Sequence, residues 1–60
     1  MYQIRTTTEK GQVAFSQIFD SAWACNMIAI SYIRNYPEVV KTEVINKTTA
    51  KVEKTYLKGA

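Results

Sequence analysis

Sixty residues, 47% of them apolar, with eight basic and five acidic side chains for a net charge of +3, describe one small folded domain spanning residues 1–60 rather than a disordered chain. A chain this short buries only about 60% of the surface its unfolded form exposes and is marginal on its own. The single cysteine, Cys25, has no second thiol for a disulfide, and with no histidine in the sequence there is neither a base to activate it nor a ligand set for zinc.

The first segment, Tyr2 to Thr8, alternates Tyr2, Ile4, Thr6 and Thr8 against Gln3, Arg5 and Thr7, and its β-branched content suits a pleated strand. Its leading residues, MYQIRTTTEK, contain no apolar signal region, and the expected location is the cytoplasm, that of the host if the chain is phage-encoded. Glu9-Lys10-Gly11 reads as a tight hairpin, because Gly11 can adopt the positive φ such a turn requires. A second strand is expected from Gln12 to Phe19, with Val13, Phe15 and Phe19 on one face and Gln17 interrupting it near an edge.

Asp20 and Ser21 are both good N-cap residues, and Pro37 cannot continue a helix, so one is predicted from Ser21 to Tyr36. Steps of 100° per residue divide its apolar surface into two stripes. Ala22, Cys25, Ala29, Tyr32, Ile33 and Tyr36 gather on one side, where three small residues let the helix axis approach a sheet. Trp23, Met27, Ile30 and Arg34 form a second stripe, leaving only Asp20, Ala24, Ser31 and Asn35 for a plainly solvated strip. Either the sheet curls far enough to cover the second stripe or the stripe is an interface. Trp and Met favour the interface, since both bury large area and adapt to irregular surfaces.

Beyond Pro37, EVVKTEVIN predicts a third strand with Val40, Thr42 and Val44 on one face and Lys41 and Glu43 on the other. Residues 47–58 read either as a strand or as a helix. The strand places Ala50, Val52, Lys54 and Tyr56 on one side. The helix aligns Lys47, Lys51, Lys54 and Lys58. The β-branched Thr48, Thr49, Val52 and Thr55 favour the strand, with Asn46-Lys47 supplying the turn.

The expected fold is therefore α+β: a small antiparallel sheet in ββαββ order, one central helix packed on one face, and a dimer formed through the helix. The excess charge falls in the last third, where Lys41, Lys47, Lys51, Lys54 and Lys58 face only Glu43 and Glu53. These lysines are expected on the wet sheet face, as a basic binding surface or as solvated residues that keep the sheet edge from aggregating. The acidic residues are scattered, the two glycines form no phosphate-cradling loop, and Asn46-Lys47-Thr48 is a chance glycosylation match, so no catalytic, metal or cofactor site is expected.

The functional expectation is a non-enzymatic protein that binds a macromolecular partner and self-associates through Trp23, Met27, Ile30 and Arg34, in the size class of phage inhibitors and antitoxins. Two alternatives stand beside it. One is a dimer that binds nucleic acid through the lysine-rich face. The other is a sponge for a small anionic nucleotide, held at a subunit junction by lysines, Arg34 and tyrosines. No membrane partner is expected, since no apolar stretch reaches the roughly 20 residues a span needs.

Overall fold

The computed structural model describes residues 1–59. A four-stranded antiparallel sheet, in spatial order β2-β1-β3-β4, carries one helix on one face. The strands are β1 (Tyr2–Thr8), β2 (Val13–Phe15), β3 (Val39–Asn46) and β4 (Lys51–Leu57), and α1 (Ala22–Asn35) links β2 to β3. No helix among the described residues is long and apolar enough to cross a membrane.

The first hairpin closes where the glycine allows it. Thr8 and Gln12 are joined by a 2.9 Å backbone hydrogen bond, and Gly11 between them has a φ of 82°. β2 then ends after Phe15 instead of running to Phe19 as the alternation suggests. The Ser16 amide donates to the Ile4 carbonyl, while the Ser16 hydroxyl accepts from the Ile4 N–H at 2.9 Å, a position a backbone carbonyl would otherwise fill. One residue more than the register requires then separates Ser16 from Phe19, which pairs with Tyr2 through bonds of 2.7 and 2.8 Å. That slip changes the face presented. Val13 and Phe15 lie on the side of Thr7 and Arg5, whereas Phe19 packs with Tyr2 against the core under the helix.

The helix is set by its caps. The Ser21 hydroxyl accepts from the Ala24 amide at 3.3 Å, and at the other end Tyr36 leaves the helical conformation before Pro37. The last carbonyls gain a cation, since the Lys58 ammonium donates to the Tyr36 and Pro37 oxygens at 3.0 and 2.7 Å. A positive charge at a helix C-terminus opposes the negative end of the helix dipole. Lys58 thereby ties the end of β4 to the end of α1.

Ile4, Cys25, Ala29 and Val44 form the fully buried core, with Tyr2, Phe19, Tyr32 and Tyr56 packed around it. The small Cys25 and Ala29 bring the helix close enough to β3 for the buried Thr42 hydroxyl to donate to the Ala29 carbonyl at 3.1 Å. Two more irregularities reassign side chains. Between Thr7 and Thr8 the pairing steps from Lys41 to Val39, so Val39, not Val40, takes the buried position beside Thr42 and Val44. In β4 the pairing steps from Lys54 to Val52 opposite Val44 and Ile45, leaving Glu53 out of register. Residues 51–57 are thus a strand, as the β-branched content predicts, but Val52 lies on the face opposite Tyr56 rather than beside it.

Candidate interface

α1 presents three distinct sides. Cys25 and Ala29 point into the sheet. Asn26 lies on one flank, where its side-chain oxygen accepts the Tyr56 hydroxyl at 2.6 Å and its amide donates to the Ala22 carbonyl. Tyr32 lies on the other flank, its ring edge-on to Tyr36 with centroids 5.8 Å apart. At 3.6 residues per turn, Met27 stands about 160° around the axis from Ala29. Trp23, Met27, Ile30 and Arg34 accordingly run along the outward side.

The sheet does not curl over them. Trp23 is 74% exposed and Met27 48%, Arg34 is exposed, and Ile30 is partly covered. An exposed tryptophan on a capped helix is a rigid apolar projection, of the kind that anchors protein interfaces when a partner covers it. Trp23, Met27, Ile30 and Arg34 follow the alternating 3–4 spacing of a helix face, whereas exposed Asp20 lies before the extended Ser21 cap, outside the helix.

The lysines do not assemble as expected. Lys41 lies on the open sheet face with Arg5 and Glu43, whereas the register puts Lys51 and Lys54 on the helix side of β4, in phase with Tyr56. Lys47 is in the turn, and Lys58 is held at the end of α1. The wet face instead has a charged centre and an apolar margin. Arg5 donates two 2.8 Å hydrogen bonds to the carboxylate of Glu43, and Lys41 approaches the same group at 3.8 Å. These bonds hold the Glu43 carboxyl below its ordinary pKa against the opposing effect of burial. Around that centre Val13, Phe15, Val52 and Leu57 are exposed, Phe15 to 59% and Leu57 to 54%.

Between the C-terminal half of α1 and β2 runs an open groove of ≈ 360 Å³ lined by Phe15, Tyr32, Tyr36 and Val39, with Glu38 as the charged residue of its wall. A carboxylate there repels an anionic ligand. Arg34, expected to join the tyrosines around a nucleotide, stands on the outward side of the helix. Cys25 is fully buried, and burial pushes its thiol pKa up, which keeps it protonated and unreactive at neutral pH.

No protein-family profile matches the chain, and neither the curated proteins nor the solved structures provide a significant match.

Proposed function

We propose that this protein is a non-enzymatic binding protein that self-associates through the outward side of α1 and acts by occupying a protein partner, as small inhibitors and antitoxins do. The observation that carries this reading is the exposure of Trp23 together with Met27 on a rigid, capped helix. Four side chains make up the fully buried core cluster. Covering a large apolar stripe is the most direct way for so small a domain to gain stability. Pairing through the helices turns the two sheets outward, one on each side of the dimer.

The outward sheet face then meets the partner. Its exposed Phe15, Val13, Val52 and Leu57 flank the Arg5–Glu43 pair, a mixture of apolar margin and ordered charge that suits a protein surface. Nucleic acid is the weaker alternative, because Arg5 and Lys41 both already face Glu43 and a phosphate would compete with that carboxylate.

Trp23→Asp tests the reading. Sedimentation velocity and light scattering at micromolar concentration are expected to show a dimer for the wild type and a folded monomer for the variant. A wild type that stays monomeric throughout that range would overturn the proposal.

A further inference from the structure

We infer that the groove between α1 and β2 is a separate binding site, which takes an extended segment of a partner protein as an added strand on β2, with an arginine side chain laid across the groove to Glu38. The site lies apart from the outward side of α1 and does not depend on self-association.

The sheet edge carries the first half of the inference. β2 is the outermost strand and has a neighbour only in β1. The Gln12 carbonyl accepts from the Thr8 amide, and the Ser16 amide donates to the Ile4 carbonyl. Residues 12, 14 and 16 therefore turn their main chain toward β1, and Val13 and Phe15 turn theirs outward. No backbone hydrogen bond among the described residues engages those outward groups. The opposite edge is guarded, since β4 presents Lys51, Lys54 and an out-of-register Glu53, the devices that keep a strand edge from pairing. Val13, Ala14 and Phe15 carry no charge. A free, uncharged edge is the surface on which an extended peptide adds as a further strand.

The groove supplies the side-chain half. Ala14 pairs with Thr6, and Thr6 with the buried Thr42, which puts all three on the helix side of the sheet. α1 packs chiefly on β3, and the small Ala14 leaves the ≈ 360 Å³ groove open toward the β2 edge. A side chain entering from an added strand crosses Ala14 and meets Tyr32, Tyr36 and Glu38. Tyr36 is 49% exposed, and the Glu38 carboxylate forms no ion pair among the described residues, where both such pairs belong to Glu43. Aromatic rings beside a free carboxylate select a cation. A planar guanidinium satisfies both, stacking on a tyrosine ring and donating two parallel hydrogen bonds to the carboxylate. Main-chain pairing thus supplies the docking and Glu38 the choice of side chain. A three-residue edge with one charged contact gives a weak site, filled in the millimolar range by a short peptide.

The test is an amide NMR titration of the full chain with the peptide acetyl-Thr-Val-Arg-Val-Thr-amide. The largest shifts are expected at Val13, Phe15, Tyr32, Tyr36 and Glu38. Replacing the peptide's arginine with glutamate, or methylating its main-chain nitrogens, is expected to weaken binding by about tenfold or more. Glu38→Gln, at an exposed position, is expected to weaken the arginine peptide several-fold and to remove its advantage over the same peptide with glutamine. Trp23→Asp is expected to bind the peptide as the wild type does, so this result is read separately from the oligomeric state. Binding that is absent in the millimolar range, or shifts confined to β4 or to the outward side of α1, would overturn the proposal. Main-chain methylation without effect would overturn the strand addition, and an unchanged affinity in Glu38→Gln would overturn the arginine assignment.

Discussion

Glu43 shows most plainly how one side chain departs from what its sequence neighbours suggest. It sits on the open sheet face yet is only 8% exposed, because Arg5 and Lys41 close over it from β1 and β3. Its folded pKa is lowered, first by the Arg5 hydrogen bonds. The stabilisation it provides is therefore complete above its unfolded pKa of about 4.3 and is lost as the pH falls through the lower folded value. Glu43→Gln is expected to cost about 0.5–1 kcal/mol at pH 7, the range of a solvent-screened pair, and the difference from wild type is expected to be smaller at pH 3, below the unfolded pKa. Urea unfolding at the two pH values checks this. A penalty undiminished at pH 3 would mean that packing, not charge, is what the residue contributes.

The elements divide into those whose signals are local and those whose details depend on a partner strand. The helix is legible in the sequence because its limits are written in Ser21 and Pro37 and its buried side in the small Cys25 and Ala29. Its outward stripe is equally legible, although only the structure leaves Trp23 uncovered. The strands can be located from sequence, while the phase of their side chains cannot. The extra residue after Ser16, the step at Val39 and the out-of-register Glu53 are each imposed by pairing with a neighbour, and alternation along one strand carries no record of them. The expected lysine face fails for this reason: the out-of-register Glu53 brings Lys51 and Lys54 together on the helix side with Tyr56, opposite Lys41 on the open face.

The β3–β4 hairpin adds a testable detail at the same scale. The Asn46 side chain accepts from the amides of Thr48 and Thr49, and the loop closes with the Ala50 amide donating to the Asn46 carbonyl at 2.7 Å. That closure requires a φ of 61° at Ala50, which a side chain disfavours and glycine does not. Ala50→Gly is expected to stabilise the fold by about 0.5 kcal/mol, a rise of roughly 2–4 °C in Tm. A lower Tm would show that the conformation is less strained than its φ implies.

For the whole molecule, the governing fact is the mismatch between a small core and a large uncovered apolar stripe. The open sheet face resolves part of its own exposure through the Arg5–Glu43 pair, and Lys58 fastens the helix end to the sheet. Nothing within the described residues covers Trp23, which stays 74% exposed. In the proposed dimer a second copy would cover it and leave both sheet faces free, so that the proposed self-association and partner binding would use opposite sides of the same domain. Such a dimer would also add stability by mass action, linking the abundance of the protein to its folding.

The chain's one tryptophan stands on the outward side of α1, where the dimer is proposed, and reports on that surface directly. Its emission and acrylamide quenching, followed from dilute to concentrated protein in parallel with sedimentation, test the central claim. The expected result is a shift to shorter wavelength and a loss of quenching that track the dimer fraction. An indole emission that stays solvent-exposed as the dimer forms would contradict the account.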